Sequence, residues 1–179
     1  MSLKFREIDW RQSSVRQILS ALSQGLDAVY QRFLNGGDVD DANEYENDLC
    51  GIAFVAAQAY ITGVVADVRA LRGPNLTKPE LLESDNPVVA GTKLTQMQLC
   101  DTMANYYKHR DEWSDWDDVE KPAARRTIQF LRTAGFAQRD QYLCSTVARL
   151  MLLNDEEIKS LVPLMDMLTS WREKVIVAR

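Results

Sequence analysis

The chain has 179 residues, 46% of them hydrophobic, and a formal net charge of -5 at pH 7. A chain of this length and composition can bury a full core by itself, so residues 1–179 are expected to form one domain without disulfides or structural metals. The acidic balance argues against broad electrostatic capture of nucleic acid or anionic membrane, because such surfaces need clustered lysine and arginine.

The first two helices are predicted from apolar spacing. Apolar residues recur every three or four positions over residues 15–33, which places them on one helix face. A glycine pair at 36–37 is expected to end this helix, and a second helix is predicted over residues 42–71. The predicted core positions are Val15, Ile18, Leu19, Leu22, Leu26, Val29, Tyr30 and Phe33 in the first helix and Tyr45, Leu49, Ile52, Ala53, Ala56, Tyr60, Val64, Val68 and Leu71 in the second.

The stretch 52–66 of the second helix is apolar on nearly every side, which indicates the central helix of a bundle. It is shorter than the roughly 20 residues that a bilayer span needs, so no membrane association is expected. The N-terminus shows no apolar export segment, and the three cysteines are far apart and in no paired spacing. We therefore expect a cytoplasmic protein.

A crossover loop follows, because three prolines between residues 74 and 87 exclude a long helix there. Within it, residues 77–80 have the spacing of a capping box, which predicts a short helical turn over residues 81–82. A third helix is predicted to start near residues 91–94.

Three more helices are predicted after the third. The fourth is expected to use Asp117 or Asp118 as its N-cap and to end near Gly135. The fifth covers about residues 142–150, and the sixth follows an acidic start at residues 154–157, with Pro163 bending it or marking its first turn. The predicted fold class is all-α, an up-down bundle of about five to six helices.

The most distinctive segment surrounds His109, the only histidine of the chain. At about 100° per residue, Asp101, Asn105 and His109 form a polar row beside the apolar face of the third helix, where they can contact one another. An imidazole between two cations, Lys108 and Arg110, can serve proton transfer or binding. The simpler interpretation is a water-facing helix end, at which these cations complement the helix dipole.

Two tryptophans follow, Trp113 and Trp116, in an acidic run over residues 111–118. They either cover the edge of the core or provide rigid anchors for a protein partner, since tryptophan is frequent at interface hot spots. One histidine and no cysteine pair exclude a histidine-rich or zinc site, and no Walker loop, nucleophile elbow or dinucleotide fingerprint is present. No metal and no cofactor are expected.

The segment 104–110, on the third helix after two long helices and a crossover, resembles the HEPN superfamily. The family signature is an Arg commonly followed by Asn, with a His one helical turn later. Asn105 and His109 fall on the Asn and His positions, whereas Ala104 falls where the Arg belongs. A methyl group can neither neutralise nor hydrogen-bond a phosphate, so the motif lacks its phosphate-binding half.

The resemblance implies a HEPN-like binding or interaction module with a degenerate motif, in a bacterial defence, toxin-antitoxin or immunity setting, that forms a homodimer. One alternative is a metal-independent endoribonuclease, in which His109 moves protons and Asn105 orients it or the phosphate. The other alternative is a structural oligomerising protein without enzymatic activity. A protein partner is compatible with the acidic surface, and RNA stays open as a ligand. The candidate binding residues are Lys108, Arg110, Trp113 and Trp116.

Overall fold

The computed structural model describes residues 8–84, 86–113, 115–152 and 158–177. These residues form α-helices joined by turns and loops, with no strand among them beyond one isolated bridge between Val88 and Thr95. The helices are α1 (Gln12–Leu34), α2 (Val39–Arg72), α3 (Lys78–Glu83), α4 (Gln96–His109), α5 (Pro122–Thr133), α6 (Leu143–Leu152) and α7 (Val162–Val177). The predicted all-α bundle is confirmed, with the short α3 added to six longer helices.

Helices α1 and α2 form an antiparallel hairpin whose turn is set by local chemistry. Gly36 has a φ of 90°, a left-handed conformation that favours glycine after the last turn of a helix. Asp38 then caps α2, because its carboxylate accepts hydrogen bonds from the backbone N–H groups of Asp40 and Asp41. The predicted hairpin of two long helices is therefore present.

Helix α2 is the centre of the bundle and packs against α1, α4, α6 and α7. Burial of each of its large apolar side chains stabilises the fold by about 1.5–3 kcal/mol. By length and composition α2 is the one described helix that could cross a membrane, but half of its most apolar window is buried against the other helices. Its buried apolar side chains include Phe54, Tyr60, Ile61, Val64 and Val68.

The predicted core stripe of α1 is only partly buried. Val15, Leu19 and Leu26 are buried, whereas Ile18, Tyr30 and Phe33 are exposed, as are Tyr45 and Ile52 of α2. The core prediction was therefore wrong at those five positions. Helix α7 reaches α1 near Ser23, whose hydroxyl accepts a hydrogen bond from the N–H of Leu161, and the end of α1 extends beyond this contact.

The capping box predicted in the crossover is confirmed. Thr77 accepts from the N–H of Glu80, the Glu80 carboxylate accepts from the N–H of Thr77, and α3 follows. Helix α4 begins at Gln96, later than predicted, because a second capping box joins Thr95 and Gln98.

The predicted N-cap of the fourth helix was wrong. Helix α5 begins at Pro122 after Lys121, without a side-chain cap, and a proline at the first helical position needs no N–H partner. The end prediction is confirmed, since Gly135 has a φ of 91° after the last turn. Pro163 lies in the first turn of α7, whereas the predicted acidic start at 154–157 lies outside the described residues.

Candidate functional site

The polar row on α4 contacts α2 through one side chain, Gln58. Its Nε2 donates to Oδ1 of Asp101 at 2.7 Å and to Oδ1 of Asn105 at 3.0 Å. Its Oε1 accepts from Nζ of Lys108 at 2.6 Å. Nζ of Lys78, from α3, reaches the same Asp101 oxygen at 2.6 Å. The carboxamide of Asn105 is thus part of a network that joins three helices.

His109 belongs to a different group of side chains. Its Nδ1 lies 3.1 Å from Oε1 of Glu112, and its ring stacks on Trp113 with centroids 6.0 Å apart and planes 22° apart. Among the described residues, no hydrogen bond joins it to Asn105. Nζ of Lys121 contacts the other Glu112 oxygen at 3.2 Å. The hydrogen bond from His109, together with Lys121, holds the pKa of Glu112 below its ordinary value.

The His109–Glu112 contact sets the tautomer of the imidazole. An ionised carboxylate can only accept a hydrogen bond, so Nδ1 of His109 must carry the proton and Nε2 is the acceptor of the neutral ring. The His109 side chain is 46% exposed. The pair can exchange a proton with solvent or with a ligand, but it has no neighbouring cation on the Nε2 side that any described contact defines.

The two cations beside His109 are held by α2 rather than by the histidine. Nη2 of Arg110 lies 2.7 Å from Oδ1 of Asp48, and its guanidinium lies 4.7 Å from the ring centroid of Tyr107. Lys108 is bonded to Gln58, as described above. Arg110 also lines a cleft of about 440 Å³, whose other lining residues include the carboxylates Glu44, Asp48, Asp111 and Asp140.

Position 104, where the family signature places its Arg, faces the core. Ala104 is 0% exposed and belongs to the main apolar cluster. A cationic side chain there would have to leave the core before it could reach a phosphate held near His109. The described α4 therefore offers no phosphate cradle at this position.

Trp113 and Trp116 form an aromatic cluster with Tyr106. The Tyr106 ring lies 6.3 Å from each indole, and both indoles are buried. The backbone N–H of Trp116 donates to Oε1 of Gln138 at 3.0 Å, which ties this turn to the segment after α5. The two tryptophans present little surface to a partner.

The described residues contain no group of three or more His, Cys, Asp or Glu side chains arranged to hold a metal ion. Cys50, Cys100 and Cys144 are free and buried. Burial raises the pKa of all three thiols, that of Cys144 to about 12. A thiol with such a pKa is protonated near neutral pH and is a poor nucleophile.

Two cavities open at the end of the α1–α2 hairpin. One has about 520 Å³ and extends to Arg149, Ile158 and Lys159; the other has about 230 Å³ and lies between α1 and α2 alone. They share three lining residues, Val29, Phe33 and Ala42.

Four large apolar side chains surround these cavities and are exposed. They form what we call the hairpin surface: Phe33 (41% exposed), Leu34 (58%), Val39 (52%) and Tyr45 (52%). Single exposed apolar residues are ordinary, but a contiguous apolar group around a groove is typical of a binding surface.

Sequence reasoning missed the hairpin surface because helical spacing shows which side chains share a face, not what covers that face. Tyr45 and Phe33 were both assigned to the core. A signal was nevertheless present, since the apolar stripe of α1 continues to the residues that immediately precede the glycine pair, where a two-helix hairpin has only its own partner helix to cover it. Gln58, the partner of Asn105, was also missed.

Comparison of the chain with family models, with curated proteins and with solved structures finds no match. Function is therefore argued from the two sets of residues described above, the motif segment on α4 and the hairpin surface.

Proposed function

We propose that this protein is a non-catalytic interaction module that binds another protein through the hairpin surface. The observation that carries the proposal is the exposure of Phe33, Leu34, Val39 and Tyr45 around two adjoining cavities. Exposing such side chains to water is unfavourable by about 25 cal/mol per Å² of apolar area, and a bound partner would recover that free energy.

The engagement of the motif segment supports the non-catalytic half of the proposal. Asn105 is bonded to Gln58, Lys108 to the same amide, and Arg110 to Asp48, so these three side chains already have partners within the bundle. Such contacts fix α4 against α2. The HEPN-like ancestry, and the homodimer and defence setting that it implies, remain part of the proposal.

A metal-independent ribonuclease is the second candidate, and one observation favours it. His109 is half exposed, and Glu112 holds its Nδ1 so that Nε2 is left to accept a proton. Cleavage of RNA would also need a cation or a set of N–H donors for the phosphate, and the buried Ala104 supplies neither. We therefore place this function second.

Site-specific photo-crosslinking tests the interaction module. A benzophenone amino acid replaces Phe33 in one version of the full chain and Val88 in another, since Val88 is also apolar and exposed but lies in the crossover. In cells that make the protein naturally, we expect a protein adduct from position 33 and none from position 88. The adduct should weaken when Tyr45→Ser is added. Equal adducts from both positions, or none from position 33, would contradict the proposal.

A further inference from the structure

The charge of the hairpin surface carries an inference about its occupant, which rests on the proposed function. We propose that the hairpin surface binds a basic amphipathic helix of a partner protein, whose apolar face enters the cavities and whose lysine or arginine side chains meet the carboxylates at the rim.

The rim is acidic because of the first turns of α2. Asp40, Asp41 and Glu44 are exposed, and none of them has an ion-pair partner among the described residues. Asp27, on α1, is exposed on the other side and lines the larger cavity. Asp41 lines the smaller cavity. Carboxylates therefore border both cavities.

The cations at the same place are mostly engaged. The guanidinium of Arg32 lies 6.0 Å from the ring centroid of Tyr45, and Arg149 pairs with Glu46. Lys159 lies at the far end of the larger cavity, beside Ile158. A partner that approaches the smaller cavity thus meets a negative potential over an apolar floor, and opposite charge on the partner would steer its encounter.

The shape of the surface suits a helix. The two cavities share Val29, Phe33 and Ala42, so they form a continuous apolar depression along the end of the hairpin rather than two separate holes. An amphipathic helix fills such a depression with apolar side chains at three- and four-residue spacing. Addition of a strand would need an unpaired sheet edge, and the described residues contain no sheet.

The same charges disfavour two other occupants. A second copy docked here about a two-fold axis would bring the exposed Asp40 and Asp41 of each copy toward those of the other, since a two-fold interface pairs a surface with itself. An anionic lipid surface would repel the same carboxylates. A basic helix is the occupant that gains from both the apolar groove and its rim.

Titration of the full chain with two synthetic helices tests the proposal. One peptide carries leucine on one face and lysine on the other, and its counterpart carries glutamate in place of lysine. We expect the lysine peptide to bind more weakly as salt is raised, because salt screens the rim charges, and the glutamate peptide not to bind. Phe33→Ser should weaken the lysine peptide about tenfold or more, as loss of a buried aromatic anchor does.

A pair of matched charge variants separates the rim from the net charge of the chain. Asp40→Asn with Asp41→Asn should weaken the lysine peptide about fivefold, whereas Asp118→Asn with Glu120→Gln, which removes the same charge from exposed positions before α5, should change it less than about twofold. Circular dichroism confirms that each variant is folded. Equal weakening by both pairs would overturn the proposal, as would equal binding of both peptides.

Three further outcomes identify a different occupant and also overturn it. These are self-association that Phe33→Ser abolishes, binding to anionic lipid vesicles that Phe33→Ser abolishes, and no binding of either peptide. If photo-crosslinking from position 33 succeeds while the lysine peptide fails, the chemistry of the partner is wrong and the interaction module stands. If both fail, the interaction module fails as well.

Discussion

The ring of Tyr107 on α4 lies directly over Gly51 on α2, in the space that a side chain at that glycine would need. A Cβ atom at Gly51 would come within 2.0 Å of Cδ2 of the Tyr107 ring. The two helices therefore approach one another closely because residue 51 has no side chain. This contact lies one turn before the paired Arg110 and Asp48 and helps to hold the motif segment in place.

We predict that Gly51→Ala destabilises the fold by about 1–3 kcal/mol, because the clash with Tyr107 exceeds the gain in helix propensity. Chemical denaturation measures the free energy of unfolding. Gly25→Ala is the matched control on α1, where the new Cβ would lie 3.2 Å from Cδ1 of Leu49, a side chain that can move. A Gly51→Ala variant as stable as Gly25→Ala would show that the two helices are not packed this closely.

A second prediction concerns the network around Gln58. Gln58→Ala and Asn105→Ala should be coupled by about 0.5–1 kcal/mol in a double-mutant cycle, because each removes the same hydrogen bond. Asn105→Ala and His109→Ala should be additive, since the described structure shows no bond between them. Coupling between Asn105 and His109, with none between Asn105 and Gln58, would indicate a shared site of the kind that a nuclease needs.

The pKa of Glu112 gives a third prediction. Because its folded value is lowered mainly by the bond to His109, His109→Ala should raise it toward the ordinary range, and Lys121→Ala should raise it less. A carboxyl with a lowered pKa stabilises the fold above its unfolded pKa and loses that contribution as pH falls through the folded value. NMR titration of the Glu112 carboxyl carbon measures the shift. An unchanged pKa in His109→Ala would mean that the two side chains do not interact in solution.

Much of the fold could be predicted from the sequence, because its signals are local. The capping box at Thr77 and Glu80 and the glycine that follows α5 are set by residues close in the chain. The N-cap of α5 could not be predicted from the acidic run alone. Asp115 accepts from the N–H of Asp117, and Asp117 pairs with Arg132, so these carboxylates are used within the turn.

Less of the candidate site could be predicted, because its contacts join distant parts of the chain. The partner of Asn105 is Gln58, which is 47 residues away, and no spacing rule connects them. The contact of His109 with Glu112 is three residues long and could have been predicted from helical spacing. The exposure of Phe33 depends on where α7 ends against α1, which only the packed structure defines.

The central claim is that the motif segment on α4 belongs to the scaffold and not to an active site. Incubation of the purified full chain with labelled single-stranded RNA in the presence of a chelator tests it most directly, beside His109→Ala as the control. We predict no cleavage above background by either protein. Chelator-resistant cleavage by the native chain that disappears in His109→Ala would contradict the claim and establish the ribonuclease.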